Sequence, residues 1–195
     1  MCTQNINAEI QRCTRCRLSK TRIHALCGEG NVSAKLMLIA QAPGENEDRI
    51  GKMFIGPSGK VLDELLEIAH IDRNNIYMTN LVKCMLPKYR RPKSDEINMC
   101  SRYLDREIEL ISPEILAPLG YFATRYILKK YDIPIPSKPE FRKLYGKVVE
   151  ADNKKILPLQ HPAAVLHDGS IKEVLVRNYQ KLRLIAGPRP LGPRK

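Results

Sequence analysis

The fold is decided by residues 35–44, which read KLMLIAQAPG, an apolar run that ends abruptly in a Pro-Gly turn. Three other short apolar runs end at glycine, proline or polar residues, at 76–80 (IYMTN), 115–120 (ILAPLG) and 155–160 (KILPLQ). Runs of this length without polar alternation are typical of strands that are buried on both faces. The sequence therefore predicts four buried strands, the first of them at 35–40.

Helical patterns separate and follow these strands. Apolar residues recur at helical spacing over 61–69, and further helices are predicted at 94–111, 121–130 and 171–185. The helix at 94–111 starts with Ser-Asp-Glu, which is typical of a helix N-terminus, and stops before Pro113. Strands that alternate with helices predict an α/β fold, here a three-layer sandwich with a central four-stranded parallel sheet flanked by helices.

Length and composition indicate one globular domain. The chain has 195 residues, 43% of them hydrophobic, which is enough for a full core, and we expect a single domain over residues 1–186. Residues 187–195 (GPRPLGPRK) are basic and rich in proline and glycine, so we expect a disordered tail there. No apolar run reaches the ~18 residues of a membrane span, and we see no signal peptide. We therefore expect no membrane partner.

The charge balance points to a polyanionic partner. The formal net charge is +12, from 33 Lys and Arg against 21 Asp and Glu. The basic residues cluster at 12–22, 88–93, 138–147 and 177–195, which favours a binding face for nucleic acid. The alternative is a generally charged, solvated surface without a partner.

Four cysteines have the spacing of a metal centre. Cys13 and Cys16 form a C-x2-C pair, and Cys84 and Cys100 follow as C-x15-C. Four thiolates complete the coordination of zinc or of an iron–sulfur cluster, and the spacing alone leaves both open. A disulfide framework is disfavoured because the chain is not a small secreted scaffold, and a thioredoxin-type pair because no strand precedes Cys13. The two remaining cysteines, at positions 2 and 27, lie outside the set.

Polar and small residues follow three of the predicted strands. The turn at 41–44 follows the first strand, Asn80 closes the second, and His161 follows the fourth. Ligands of open α/β sheets bind beyond the carboxyl ends of the strands, so we expect these groups to meet on one rim. An amide suits the edge of a pyrimidine, and a histidine can donate to an oxygen on which negative charge develops. Taken singly, Asn80 also fits a turn cap and His161 a loop histidine without a role.

Four motifs in this order carry a family resemblance. Residues 40–48 (AQAPGENED), 51–59 (GKMFIGPSG), 79–84 (TNLVKC) and 161–166 (HPAAVL) resemble family 4 uracil-DNA glycosylases. The resemblance extends over about residues 10–185. It implies a [4Fe–4S] cluster on Cys13, Cys16, Cys84 and Cys100.

The resemblance also implies a role for each residue of the rim. Phe54 would stack on the flipped uracil, Asn80 would read the edge of the base, and His161 would support O2 as the glycosidic bond breaks. Glu47 occupies the position of an acidic residue close to the base and the attacking water. The wall of the base pocket would be formed by Gln41, Ala42, Pro43 and Gly44.

Residues at the edge of this site are predicted to contact DNA. Leu166, in the loop after His161, would be the wedge that replaces the flipped base in the minor groove. Arg90 and Arg91 belong to the basic stretch 88–93, which we expect to bind the DNA backbone.

The first motif departs from the family pattern. The family usually has Gly-Glu-Ala-Pro-Gly where this chain has Ala40-Gln-Ala-Pro-Gly44, so the change at Gln41 removes a possible carboxylate base. Gln41 is nevertheless counted with His161 and Glu47 among the candidate catalytic residues, because classical uracil-DNA glycosylases have glutamine in the matching motif. A related branch that cross-links to DNA has a basic loop ending in histidine, and residues 88–93 contain none.

The resulting hypothesis is a uracil-DNA glycosylase that flips uracil out of DNA and hydrolyses its N-glycosidic bond to initiate base excision repair. Its substrate would be single- or double-stranded DNA containing uracil, and we expect a monomer that works on the nucleoid in a prokaryotic cytoplasm. The alternative hypothesis is a non-catalytic DNA-binding module with a structural metal site on the four cysteines. A small-nucleotide α/β enzyme is disfavoured by the absence of a P-loop motif.

Overall fold

The computed structural model of the protein describes residues 3–186. The predicted tail at 187–195 and the cysteine at position 2 therefore lie outside the described residues. In chain order the elements are α1 (Thr3–Gln11), β1 (Glu29–Gly30), β2 (Leu36–Ala40), α2 (Glu45–Ile50), α3 (Pro57–Ile68), β3 (Tyr77–Asn80), α4 (Ser94–Ile111), β4 (Ile115–Pro118), α5 (Tyr121–Lys130), α6 (Lys138–Phe141), β5 (Val149–Ala151), β6 (Lys154–Ile156), α7 (Ala163–His167) and α8 (Lys172–Ala186).

One mixed sheet forms the centre of the fold. Its strand order is β1-β3-β2-β4-β6-β5. The pairs β2–β3, β2–β4 and β4–β6 are parallel, whereas β1 and β5 pair antiparallel at the two edges. The predicted α/β class is thus confirmed, but the sheet described here has six strands instead of four. The edge strands have two and three residues and are partly exposed, so they leave no apolar run in the sequence.

The buried strands follow the predicted runs, with one interruption. All five residues of β2 are buried, as are all four of β4. The run predicted at 155–160 is a strand only as far as Ile156, and an isolated parallel bridge between Leu119 and Leu159 continues it. Pro158 lies between these two pairings, and proline has no backbone N–H for a sheet hydrogen bond.

Successive side chains of β2 enter two different cores. Leu36, Leu38 and Ala40 pack with apolar residues of α3 and α8. Met37 and Ile39 face the other way and pack with residues of α1, α4 and α5. This alternation is the two-residue period of a strand, and helices consequently cover both faces of the sheet. Each fully buried large aliphatic side chain contributes roughly 1.5–3 kcal/mol to stability.

The four predicted helices correspond to α3, α4, α5 and α8, whereas α1, α2, α6 and α7 were not predicted. α4 and α5 have the predicted bounds, and α8 is shifted by one residue. α3 begins at Pro57, earlier than its apolar face suggests, because proline is favoured in the first turn of a helix. Among residues 3–186, every helix is too short or too polar to cross a lipid bilayer.

Backbone hydrogen bonds hold the strand ends side by side. Beyond β3, the Leu81 N–H donates to the Ala40 carbonyl at 2.8 Å, and the Val82 N–H donates to the Gln41 carbonyl at 2.9 Å. Beyond β4 and β6, the Gly120 N–H donates to the Leu159 carbonyl at 2.8 Å. The segments that follow β2, β3, β4 and β6 therefore reach one rim of the molecule.

Candidate active site

The predicted rim residues line one cavity of about 730 Å³. It opens at the carboxyl ends of the parallel strands, where an α/β sheet places its ligands. The structure thereby brings together side chains from five separate segments of the chain. The predicted residues on its wall are Gln41, Ala42, Pro43, Gly44, Glu47, Phe54, Asn80, Arg90, His161 and Leu166.

Phe54 is held in place through its backbone. It has a left-handed φ of 52°, which is uncommon for a side chain of this size. Arg73 Nη2 donates to the Met53 carbonyl at 2.8 Å and to the Phe54 carbonyl at 3.3 Å. A side chain at Gly59 would collide with that same Phe54 carbonyl, so glycine is required there. These contacts present the Phe54 ring to the cavity as a fixed surface.

His161 is a neutral hydrogen-bond donor. Its ring stacks with that of Phe54, with 6.0 Å between centroids and 27° between planes. The Ala163 N–H donates to His161 Nδ1 at 3.1 Å, so the proton of the neutral ring lies on Nε2. Burial disfavours the charged ring and lowers the pKa of His161 to about 4. At neutral pH the cavity thus faces an uncharged imidazole.

Asn80 is a buried amide at the end of β3. Its side chain is 2% exposed, and Nδ2 lies 3.1 Å from the sulfur of Met53. Met53 directly precedes Phe54 and lines the same cavity. A carboxamide restrained in this way offers one donor and one acceptor in a single plane.

Glu47 joins two walls of the cavity. Its Oε1 accepts hydrogen bonds from the backbone N–H groups of Ile55 at 3.0 Å and Gly56 at 2.8 Å. A Cβ atom at Gly44 would lie 2.5 Å from Glu47 Oε2, which explains the glycine at the end of the 41–44 turn. The carboxylate is buried yet lines the cavity, and Gln41, which also lines the cavity, is half-buried.

The four predicted cysteine ligands surround a second, smaller cavity. It is lined by Cys13, Cys16, Cys84 and Cys100. Arg22 Nη1 lies 3.3 Å from Cys84 Sγ, and the backbone N–H of Lys83 donates to Cys100 Sγ at 3.2 Å. Burial raises the pKa of the Cys100 thiol to about 12 and also raises the pKa of Cys84.

The thiols do not converge on one point. In the part of the chain that the structure describes, no three His, Cys, Asp or Glu side chains are grouped so that they could hold a single metal ion. A tetrahedral zinc site needs every sulfur about 2.3 Å from one ion, whereas a cluster occupies the space between its ligands. Cys27 lies apart from the set, with its Sγ 3.5 Å from the Asn7 carbonyl oxygen.

The predicted DNA-contact residues have different surroundings. Leu166 lies on the cavity rim and is 51% exposed, in a short helix (α7) where the sequence suggested a loop. Arg91 is exposed. Arg90 is engaged within the protein, because both of its terminal nitrogens contact the buried Glu96 carboxylate, at 2.8 and 2.5 Å.

Sequence reasoning missed three residues that shape the site. Met53 and Arg73 position Asn80 and Phe54, and no local pattern distinguishes them. Tyr89 lines the cavity from the basic stretch 88–93. Its signal was present in the sequence, since an aromatic residue among basic residues is typical of nucleic-acid surfaces.

Comparisons with known proteins agree on a family. Residues 27–183 match the family model of the uracil DNA glycosylase superfamily. The chain is 40% identical to the type-4 uracil-DNA glycosylase of Saccharolobus solfataricus over 185 residues, 94% of this chain and 86% of that protein. It is 33% identical to the type-4 enzyme of Archaeoglobus fulgidus (94% and 92% covered) and 29% identical to that of Thermotoga maritima (91% and 91%). The chain therefore belongs to the uracil DNA glycosylase superfamily.

Proposed function

We propose that this protein is a uracil-DNA glycosylase of the type-4 kind, which removes uracil from DNA and so initiates base excision repair. The observation that carries the proposal is the meeting of Phe54, Asn80 and His161 on one cavity at the sheet rim. The names of the relatives, which are uracil-DNA glycosylases, agree with it. We infer that the enzyme acts as a monomer on uracil in single- or double-stranded DNA.

Base recognition would rest on two rigid surfaces. Phe54 offers its ring to the face of the flipped base, and stacking on an aromatic ring is worth about 1–3 kcal/mol per base. In the orientation in which Nδ2 contacts Met53, Asn80 offers a donor and an acceptor in a fixed order to the uracil edge, and cytosine presents the reverse order. Pro43 and Gly44 belong to the 41–44 turn that lines the cavity, and we assign to this turn the exclusion of the thymine methyl.

Bond cleavage would depend on stabilising the leaving uracil anion. As the bond between C1′ and N1 breaks, its electron pair passes to N1 and spreads to O2. His161 Nε2–H is the donor that we assign to O2, and an uncharged donor keeps its proton while it stabilises that oxygen. The loss of one such donor typically costs roughly 10²–10³ in rate.

The reaction at the sugar would be completed by water. The cation that develops at C1′ is stabilised by the Glu47 carboxylate and the DNA phosphates. Water then adds to C1′ and loses a proton to solvent, and the departing uracil anion takes up a proton in turn. We assign orientation of this water to Glu47 and Gln41, which lie on the same cavity. A strong base is not required for a leaving group whose charge is already stabilised.

Duplex DNA would also have to be opened. Leu166 is the exposed apolar side chain on the rim that would fill the space left by the flipped base. Arg91 and the neighbouring lysines would contact phosphates, whereas the Arg90 guanidinium is engaged by Glu96.

We propose that Cys13, Cys16, Cys84 and Cys100 hold a [4Fe–4S] cluster. The residues fit such a group, because the four thiols surround a common space and Arg22 and the Lys83 N–H already donate to two of the sulfurs. Bound there, the cluster would supply a covalent tie between the N-terminal segment and the middle of the chain.

The decisive test uses an oligonucleotide with one uracil, together with matched oligonucleotides that have cytosine or thymine at the same position. The purified, as-isolated protein should produce an alkali-labile site only with uracil. Absorbance at about 400 nm and iron analysis report the cluster in the same sample. A protein that binds these oligonucleotides but leaves uracil in place, with zinc instead of iron, would be the non-catalytic module.

A further inference from the structure

We propose that Tyr89 is a stacking platform for the base adjacent to the uracil in the substrate strand, an inference that rests on the proposed function. Tyr89 lines the same cavity as Phe54 and His161, yet the residue is 78% exposed. A buried ring contributes by packing against the core. A ring this exposed at the mouth of a cavity leaves its faces available to a ligand.

The exposed ring is nevertheless anchored at its far end. The Tyr89 hydroxyl donates to Glu45 Oε2 at 2.8 Å. Glu45 is the first residue of α2, the helix that also carries Glu47, and it lines the cavity as well. Tyr89 therefore bridges two walls of the cavity mouth, and its orientation does not depend on burial.

The backbone beneath the ring is held in an unusual shape. Lys88 and Tyr89 have consecutive left-handed φ angles of 55° and 53°, a conformation that non-glycine residues rarely adopt. Such a conformation persists only where neighbouring contacts enforce it, and it is concentrated at functional sites. Here Leu86 is buried on one side and Arg90 is paired with Glu96 on the other. Leu86 and Arg90 are thus held in place on either side of the turn, and the Tyr89 ring projects outward between them.

The charges around Tyr89 suit a nucleic-acid strand. Lys88, Arg91 and Lys93 are exposed in the same loop. Basic residues interleaved with an aromatic ring are the pattern by which proteins bind a single strand, with the charges on phosphates and the ring on a base. The uracil itself would be held deeper, on Phe54, so the base that meets Tyr89 at the mouth is its neighbour.

The proposal is tested by pairing a protein change with a substrate change. Single-turnover excision is measured over a range of enzyme concentrations, with wild type and Tyr89→Ala. One single-stranded oligonucleotide has normal bases beside the uracil, and others have an abasic linker on the 5′ or the 3′ side. With normal neighbours, Tyr89→Ala should raise the half-saturating enzyme concentration about tenfold, within the range of one lost stack. The maximal rate should change by less than about twofold.

The linker substrates decide what the ring contacts. On the substrate that lacks the stacked neighbour, wild type and Tyr89→Ala should become equal, because the interaction is already missing. Tyr89→Phe keeps the ring and should stay within about threefold of wild type on every substrate. Leu184→Ala, a substitution at an equally exposed side chain in α8, serves as the surface control and should have no effect.

Three outcomes would overturn the proposal. One is an unchanged half-saturating concentration in Tyr89→Ala. Another is a half-saturating concentration of Tyr89→Ala that stays as far above that of wild type on both linker substrates as on the normal one. The third is a Tyr89→Phe defect as large as that of alanine, since the bond to Glu45 would then matter and not the ring. Failure of wild type to excise uracil from any substrate would instead reject the proposed function, so the two failures are distinguishable.

Discussion

Lys83 Nζ lies 2.6 Å from Glu107 Oε2, and both residues are only 1% exposed. Thr79 Oγ1 completes the group, at 2.6 Å from the ammonium and 2.7 Å from the carboxylate. Thr79 precedes Asn80, and Lys83 precedes Cys84. The buried pair therefore joins the base-pocket end of β3 to the cysteine cavity, and each charge depends on the other.

Glu107→Gln should destabilise the protein by about 3–5 kcal/mol, because it leaves the Lys83 ammonium buried without a counter-charge. Denaturant unfolding measures this loss. Glu114→Gln is the matched control, since it breaks the exposed pair between Lys35 and Glu114 and should cost at most about 1 kcal/mol. Equal effects of the two substitutions would contradict the inferred dependence on burial.

The His161 ring should titrate near pH 4, and NMR of histidine-labelled protein measures its pKa. The folded pKa is lowered because burial disfavours the imidazolium, whereas the unfolded ring titrates near its ordinary value of about 6.5. Between about pH 6.5 and 4 the His161 ring binds a proton in the unfolded chain but stays neutral in the folded protein. The free energy of unfolding therefore decreases as the pH falls through this range. A midpoint near 6.5 in the folded protein would contradict a neutral ring.

His161→Ala should lower the single-turnover rate of uracil excision by roughly 10²–10³, because it removes the donor assigned to O2. Gln41→Glu is the companion variant, and it restores the residue usual in the family. We expect it to change the rate by less than about tenfold, because the rate is assigned to anion stabilisation and not to a strong base. A large increase of the excision rate in Gln41→Glu, or a wild-type rate in His161→Ala, would contradict these assignments.

Cys84→Ala should lose iron and stability together, because the proposed cluster ties distant segments of the chain. Iron content, absorbance at about 400 nm and thermal unfolding are measured on the same preparation. Cys27→Ala is the control, since that thiol contacts the Asn7 carbonyl and lies outside the set. Full iron content in Cys84→Ala would exclude the ligand assignment.

Leu166→Ala should slow excision from a duplex more than from a single strand. Unstacking a base costs a few kcal/mol in a duplex and less in a single strand, so a wedge matters mainly in the duplex. Single-turnover rates of wild type and Leu166→Ala are measured on a U·A duplex and on the same strand unpaired, and the loss of rate on the two substrates is compared. Leu184→Ala is the exposed control. Equal losses on both substrates would mean that Leu166 is not a wedge.

Much of the architecture was predictable because it is locally encoded. The runs at 35–40 and 115–120 predict buried strands from apolarity alone, and the bounds of α4 and α5 follow from helical spacing and end signals. The order of four motifs indicated the family, which the family model then confirmed. The edge strands β1 and β5 escaped prediction because short, half-exposed segments have no distinctive pattern.

The sequence by itself determined the fold class, the family and which residue types reach the ends of the strands. Only the tertiary structure decided what those residues contact. The proton of His161 is assigned to Nε2 by the Ala163 N–H, Arg90 is engaged by Glu96, and Lys83 is paired with a glutamate 24 positions away. The spacing of apolar residues indicates which face of a single helix or strand is buried. These partners, in contrast, come from chain segments that are brought together only when the sheet and its helices pack. These contacts therefore depend on distances that no local pattern contains.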